Sequence, residues 1–303
     1  MQALSRLGAT CLVSVALVIG TVSAPASAAP ASAAPVTAAS ATSSGVASSN
    51  VPRPGLTSYT KLDYVALGDS FTSGQGAPPY SDLTCLRSQY KSYPIITSVL
   101  SPYRLTANKA CSGANVDAVT AQLAGLSLAT KQSTKLVTLT VGGIDAGSNA
   151  VLAACADSPT TPDLDCAIEL GKTTSRLTAL AAQLPGLYAG MATALPNARI
   201  AVLGYPLLFE PGVSSLGQLV NEGTLALNGV IQGSASAVVA AGIGSVRYVD
   251  VTQEFAGHGI GSAVPYIAFN PNDLAAPANF HPNVLGNTGG YYRALVNDGL
   301  LRR

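Results

Sequence analysis

Short apolar runs recur along the chain and predict buried strands. They lack strict alternation or are rich in β-branched residues, which is typical of strands covered on both faces of a parallel sheet. The runs are YVALG (64–68), KLVTLTVGG (135–143), RIAVLGYP (199–206), VRYVDV (246–251) and, with a weaker pattern, RLTANKA (104–110).

The longer segments between these runs predict helices. Residues 166–195 and 217–241 are rich in Ala and Leu and carry apolar residues at helical spacing. Strands that alternate with helices indicate an α/β domain with a mostly parallel sheet, whose functional site lies at the carboxyl ends of the strands. There is no internal repeat, and we assign one domain to residues 59–303.

The first 58 residues have a different pattern. Arg6 precedes an apolar run at 11–24 and then small residues, PASAAPASAAP, which predicts a signal peptide at 1–28 with cleavage after Ala28 or Ala29. The run is too short to span a membrane comfortably, so we expect no stable membrane insertion. Residues 29–58 are almost entirely Ala, Ser, Thr, Pro, Val and Gly, which predicts a low-complexity, disordered tether. A role as a cell-wall spacer stays open.

Charge and cysteine content restrict the class of protein. Of the 303 residues 10% are charged and the net charge is +1, which argues against nucleic acid or a charged membrane surface as partner. The length suits one large domain, and we expect a monomer. Four cysteines lie outside the predicted signal peptide, and in an exported chain they favour two disulfides with three possible pairings. The chain has no Cys-x-x-Cys and only two histidines, so no metal site is expected.

Small residues follow the first three predicted strands. GDSFTSG puts Ser70 just after the first strand, although Gly-Asp-Ser is also a common turn sequence and Ser70 could merely close that strand. ACSGANV (110–116) and TVGGID (140–145) follow the next two. Glycines there let backbone N–H groups approach a ligand closely, as an oxyanion hole requires.

A serine nucleophile needs a base that is active near neutral pH, which points to histidine. The chain offers only His258 and His281. His281 comes just before a predicted closing helix, with Pro282 in its first turn. We interpret His258 as a structural, hydrogen-bonded histidine.

Four motifs, GDSFTSG, CSGA, VGGID and HPNVLGNTGGY, occur in this order and spacing and resemble the blocks of the SGNH (GDSL) hydrolases. The chain is most similar to the secreted actinomycete lipases and esterases of that family, over residues 63–301. The resemblance implies a three-layer α/β/α sandwich with a central mostly parallel sheet, flavodoxin-like in layout. This agrees with the strand pattern.

The resemblance also implies roles for individual residues. Ser70 is the expected nucleophile, His281 its base, and the N–H groups of Ser70 and Gly113 the expected oxyanion donors. No cofactor is implied. The disulfide pairs that it implies are Cys85–Cys111 and Cys155–Cys166.

One departure concerns the oxyanion hole. Ile144 stands where the family usually has an asparagine whose side chain donates a third hydrogen bond. Losing one such donor typically costs about two to three orders of magnitude in turnover. The enzyme is then slow, or another donor such as Asn149 or Asn115 replaces it, or the site no longer catalyses.

The second departure concerns the acid that orients the histidine. Ala278 occupies the usual aspartate position, with Asp273 further upstream. A backbone carbonyl at 278–279 could accept the Nδ1–H bond instead, as in the serine–histidine dyads of related secreted esterases, with some loss of rate.

Other polar and aromatic residues receive structural interpretations. Asp69 is a turn former whose carboxylate accepts local N–H bonds, and Asp145 is a loop anchor. The pair at 291–292 packs on the last helix. The segment YPLLFEPG (205–212) is either acyl-chain wall or plain core.

These observations predict a secreted serine esterase or lipase that acts on small-molecule or lipid esters, fatty-acyl esters above all, through an acyl-enzyme. We expect activity to fall below about pH 6 as the histidine protonates. The alternatives are an acetyl esterase on wall polysaccharide and a non-catalytic binding protein that keeps the hydrolase fold.

Overall fold

A computed structural model describes residues 60–155 and 161–302. The predicted signal peptide at 1–28 and the predicted tether at 29–58 lie outside these residues. No helix in the described ranges is long and apolar enough to cross a membrane.

Five parallel strands form the central sheet: β1 (Leu62–Gly68), β4 (Tyr103–Asn108), β5 (Leu136–Thr140), β6 (Arg199–Leu203) and β7 (Val246–Val249). Their order across the sheet is β4-β1-β5-β6-β7, and all neighbours pair in parallel. Counting only these strands, the order is 2-1-3-4-5, the flavodoxin-like layout. All five runs that the sequence predicts are therefore strands of one sheet. A separate antiparallel hairpin pairs β2 (Tyr80–Asp82) with β3 (Arg87–Ser88).

Helices connect the strands. The first half of the chain contains α1 (Ser70–Ser73), α2 (Tyr93–Leu100), α3 (Val116–Ala124), α4 (Leu128–Ser133) and α5 (Ser148–Ala154). The second half contains α6 (Leu164–Gly171), α7 (Thr173–Ala194), α8 (Ser215–Ala240), α9 (Thr252–Phe255), a π-helical segment (Gly286–Tyr292) and α10 (Arg293–Asn297).

Alternate strand residues face two apolar layers, as the pleat of a strand requires. In β1, Val65 belongs to a buried cluster built with α3, α7 and α8. Its neighbour Tyr64 belongs to a second buried cluster, on the opposite face, that includes Phe255 and Tyr291. Helices thus cover both faces of the sheet, and the α/β/α sandwich is confirmed.

Two helix predictions need correction. The segment 166–195 is two helices, because α6 ends at Gly171 and α7 starts at Thr173, and glycine disfavours a continuous helix. Pro282 lies before the closing helical segment rather than in its first turn. Asn283 caps that segment, its Oδ1 accepting the N–H groups of Leu285 (2.8 Å) and Gly286 (3.0 Å).

Two disulfides join neighbouring loops and helices. Cys85–Cys111 connects the β2–β3 hairpin to the loop after β4, and Cys155–Cys166 connects the end of α5 to α6. Within residues 60–155 and 161–302, no group of three or more His, Cys, Asp or Glu side chains could hold a metal ion.

Candidate active site

Ser70 is the first residue of α1, immediately beyond the carboxyl end of β1. The turn depends on Gly68, which has φ of +124° and whose Cβ would lie 2.4 Å from the Thr140 carbonyl oxygen. Asp69 caps α1 by accepting the Phe71 N–H at 3.0 Å. The nucleophile candidate is thereby fixed at the edge where the parallel strands end.

His281 reaches Ser70 from a part of the chain 211 residues away. Its Nε2 lies 2.8 Å from the Ser70 Oγ, and its Nδ1 lies 2.7 Å from the carbonyl oxygen of Asn279. A carbonyl can only accept a hydrogen bond, so it selects the tautomer protonated at Nδ1. The Nε2 lone pair is then free to accept the Ser70 hydroxyl proton.

The surroundings of His281 favour its neutral form. Burial lowers the pKa of His281 from 6.5 to about 4, although the hydrogen bond to Asn279 raises it. The ring packs against Phe71, with centroids 5.1 Å apart. The imidazole is therefore a base, not a cation, at neutral pH.

The other histidine has a structural environment. The ring of His258 stacks on Tyr266 with centroids 3.8 Å apart, and its Nδ1 lies 2.8 Å from the Val264 carbonyl oxygen. It is not among the residues that line the cavity at Ser70.

Gly113 lies in the loop that follows β4. The loop is tied to the end of β1 by the Cys111 N–H, which donates to the Gly68 carbonyl at 3.0 Å. Gly113 has φ of +77° and open space on the side where a Cβ would project. Within the described part of the chain, the N–H groups of Ser70 and Gly113 have no hydrogen-bond acceptor. Both donors are thus available to a ligand.

Ile144 follows β5 and lines the same cavity as Ser70 and His281. Its side chain offers no hydrogen-bond donor. Of the two asparagines considered as substitutes, Asn149 also lines this cavity, whereas Asn115 caps α3 by accepting the Ala118 N–H at 3.0 Å.

Asp69 does more than close its own turn. Its buried carboxylate also accepts hydrogen bonds from the Thr140 hydroxyl at 2.6 Å and from the Tyr205 hydroxyl. Burial raises the pKa of Asp69 from 3.8 to about 6, although these hydrogen bonds lower it. Tyr205 in turn accepts the Gly143 N–H at 3.0 Å. No pattern in the sequence predicts this connection between the loops after β1, β5 and β6.

Asp145 anchors a neighbouring loop. Its two carboxylate oxygens lie 3.3 and 3.2 Å from the backbone nitrogen of Val116, the first residue of α3. Burial raises the pKa of Asp145, although the Val116 N–H lowers it. The expected role as a loop anchor agrees with these contacts.

A cavity of about 580 Å³ opens from Ser70 and extends between α5, α6, α7 and α8. Phe280 and Leu208 line it near the histidine loop. Its apolar lining farther along includes Val151, Leu152, Leu170, Leu177, Leu219 and Leu227. A second cavity, of about 600 Å³ and lined mainly by polar residues of α8, β7, α9 and α10, contains none of Asp69, Ser70 and His281. The candidate residues Ser70 and His281 therefore both lie at the first cavity.

Comparisons with known proteins find one family and several Streptomyces enzymes that are similar to this chain. The sequence profile of the GDSL-like lipase/acylhydrolase family matches residues 66–288. A lipase of Streptomyces rimosus is 34% identical over 243 residues, which is 77% of this chain and 85% of the relative. Lipase 1 of Streptomyces coelicolor is 30% identical over 242 residues, with the same coverage.

Solved structures show the same fold. The extracellular lipase of Streptomyces rimosus superposes with a TM-score of 0.66 at 31% identity, covering 78% of this chain and 99% of the other. A phospholipase A1 from Streptomyces albidoflavus also gives a TM-score of 0.66, at 28% identity and with the same coverage.

Proposed function

The chain belongs to the GDSL-like lipase/acylhydrolase family and is a carboxylic ester hydrolase; from this premise we propose that it cleaves fatty-acyl esters with Ser70 as nucleophile and His281 as base. The observation that carries the proposal is the 2.8 Å contact between the Ser70 Oγ and the His281 Nε2. Nucleophile and base within hydrogen-bond reach, with the base oriented by a third group, are the signature of an activated serine.

The reaction proceeds through an acyl-enzyme. The His281 Nε2 takes the hydroxyl proton while the Ser70 Oγ attacks the ester carbonyl, and the N–H groups of Ser70 and Gly113 stabilise the oxyanion. His281 then returns the proton to the leaving alcohol. A water molecule, deprotonated by the same nitrogen, releases the acid and regenerates Ser70.

The third member of the site is neutral. The Asn279 carbonyl holds the imidazole in the useful tautomer, but it carries no full charge to stabilise the imidazolium that forms during proton transfer. Ser70 and His281 thus act as a dyad, and part of the rate that a buried carboxylate provides is absent.

The lining of the cavity favours the proposal of fatty-acyl over acetyl substrates. Beyond Ser70 its lining is dominated by aliphatic side chains from four helices. Apolar walls with a few convergent polar groups at one end are typical of sites that bind an apolar ligand and fix one reactive group.

We also propose that the protein is exported. The structure contains two disulfides, which persist in oxidising compartments. A solved relative is described as extracellular. The predicted signal peptide at 1–28 is the segment that would direct export. Fractionation of cultures into medium, wall and cells tests export and also tests attachment to the wall through residues 29–58.

The first prediction tests the dyad directly. Ser70→Ala and His281→Gln should each lower kcat for p-nitrophenyl octanoate by roughly four orders of magnitude or more, because a dyad works as a unit. Ser70→Ala should also abolish covalent labelling by a fluorophosphonate probe.

His258→Gln is the matched control and should keep wild-type labelling and kcat. Folded wild-type protein that neither reacts with the probe nor hydrolyses any ester would reject the proposal in favour of a non-catalytic binding protein. Strong preference for acetylated xylan over octanoate would favour an acetyl esterase.

A further inference from the structure

Ile144 lines the cavity that also contains Ser70, His281 and the apolar side chains of α5, α6, α7 and α8. We propose that Ile144 is the first wall of an acyl-chain site and makes this enzyme selective for long over acetyl esters. This inference rests on the proposed function of the same cavity. Three observations support it: the hydrogen bonds that hold the Ile144 backbone, the absence of Ile144 from the two buried clusters, and the apolar lining of the cavity.

The backbone around Ile144 is fixed by several hydrogen bonds. The Gly143 N–H donates to the Tyr205 hydroxyl at 3.0 Å, and the Gly147 N–H donates to the Ile144 carbonyl at 2.9 Å. The Ala146 N–H also donates to the Gly142 carbonyl at 2.8 Å. With its loop pinned on both sides, Ile144 presents its side chain from a defined position.

The Ile144 side chain does not belong to the sandwich core. Val141 and Ala146, on either side of it along the chain, pack into the buried cluster under α7 and α8, but Ile144 does not. It lines the cavity together with Ser70 and His281 instead. An isoleucine in this position contributes apolar surface to a ligand, because it contributes none to either buried cluster.

The lining that Ile144 shares with Ser70 is largely apolar on the helices that surround it. Leu177 of α7, Leu227 of α8 and Leu152 of α5 line it. The charged side chains in its lining are Asp69, which is engaged by Thr140 and Tyr205, and the exposed Glu222. An aliphatic chain that extends into this cavity from the carbonyl at Ser70 is therefore lined by Ile144 and by other aliphatic groups.

The expected selectivity follows from the transfer of methylene groups out of water. Each buried methylene favours binding by about fourfold. An acetyl group has no methylene and presents only its methyl group to these walls, whereas an octanoyl group gains from each methylene that the walls cover. The wild-type ratio of kcat/KM for p-nitrophenyl octanoate over acetate should therefore be well above one.

The test changes the size and polarity of residue 144. Ile144→Val and Ile144→Ala remove methyl and methylene groups and should lower the octanoate-to-acetate ratio by about threefold and about tenfold. Ile144→Asn introduces a polar group and should lower it by at least as much as Ile144→Ala. Because Ile144→Ala could also disturb the loop, the melting temperature and the fluorophosphonate labelling of each variant are measured with its octanoate-to-acetate ratio. Ile144→Val is the milder change and tests the same inference with less risk to the loop.

Ile168→Ala is the matched control. Ile168 is half-exposed on α6 and does not line the cavity, so its removal should leave the ratio unchanged. Unchanged ratios in all three Ile144 variants would overturn the inference, and so would Ile144→Asn raising acetate and octanoate turnover equally.

Fluorophosphonate labelling of Ser70 separates this inference from the proposed function, because the probe needs no acyl chain. Wild-type protein that is not labelled would reject the proposed function. Labelled protein whose ratios do not change in the Ile144 variants would reject only the role of Ile144.

Discussion

A neutral backbone carbonyl orients the His281 imidazole, and burial removes the ring from water. The Asn279 oxygen accepts the Nδ1–H at 2.7 Å, which fixes the tautomer. Burial lowers the pKa of His281 to about 4, and the partners of its two ring nitrogens, the Asn279 carbonyl and the Ser70 hydroxyl, are both uncharged. Since the folded pKa lies below the usual 6.5, the stability that neutral His281 contributes is present above pH 6.5 and is lost as the pH falls towards 4.

Because the pKa of His281 is lowered, we expect activity to fall at a lower pH than the sequence alone predicts. The acid limb of kcat/KM, which reports the free enzyme, should have its midpoint between about pH 4 and 5, not near pH 6, because His281 stays neutral to about pH 4. A pH–rate profile with a neutral ester measures this midpoint.

Titration of the imidazole by NMR separates His281 from Asp69, whose pKa of about 6 lies in the same region. The Asp69 carboxylate is hydrogen-bonded to Phe71, Thr140 and Tyr205. Burial of its charged form costs stability as the pH rises through about 6. A His281 titration and an acid limb that both centre near pH 6.5 would contradict the shift.

At the scale of elements, one side chain joins three of the loops that build the candidate site. Gln75 is buried just after α1; its Oε1 accepts the Ser112 hydroxyl at 2.6 Å and its Nε2 donates to the Pro277 carbonyl at 2.5 Å. Ser112 precedes Gly113, and Pro277 lies in the loop that carries His281. The next residue, Gly76, packs so closely that a Cβ would lie 2.6 Å from the His281 carbonyl oxygen.

Removing the two Gln75 hydrogen bonds should displace the loops that carry Gly113 and His281 without unfolding the domain. We expect Gln75→Leu to lower kcat by about tenfold to a hundredfold with a smaller change in KM, because small displacements of catalytic groups are costly. Gln75→Glu keeps an acceptor for Ser112 but loses the donor to Pro277, so its kcat should fall between Leu and wild type. Gln183→Leu, at an exposed position of α7, is the control. Wild-type kcat and KM in a folded Gln75→Leu variant would refute this role.

Elements whose pattern is set by burial could be predicted, and those set by close packing could not. β5, with all five residues buried, appears in the sequence as a run of Leu, Val and Thr that is rich in β-branched residues. The π-helical segment instead forms where Gly290 approaches Phe255, whose ring would lie 2.1 Å from a Cβ. Nothing in the periodicity of the chain reports that contact, since the partner lies elsewhere in the sequence.

At the scale of the whole molecule, sheet order explains why the site was partly predictable. β4, β1 and β5 are adjacent and parallel, so the loops that carry Gly113, Ser70 and Ile144 meet at one edge. Such edges at a reversal of strand order are where open α/β sheets bind ligands. Motif resemblance supplied His281. Tyr205 and Gln75 escaped prediction because pairings between distant side chains leave no local pattern.

Side chains of α7 contribute both to the buried core of the sandwich and to the lining of the cavity. Two leucines of this helix allow the effect on stability and the effect on selectivity to be measured separately. Leu177 and Leu184 are both buried in the cluster under α7 and α8, but only Leu177 also lines the cavity at Ser70. Leu177→Ala and Leu184→Ala should each lower the free energy of unfolding by about 2–5 kcal/mol, measured by urea denaturation. Only Leu177→Ala should also lower the octanoate-to-acetate ratio of kcat/KM, because a lost core contact two turns away changes no surface that touches the acyl chain. An equal loss of selectivity in Leu184→Ala would show that the cavity depends on packing throughout the layer, and not on the side chains that line it.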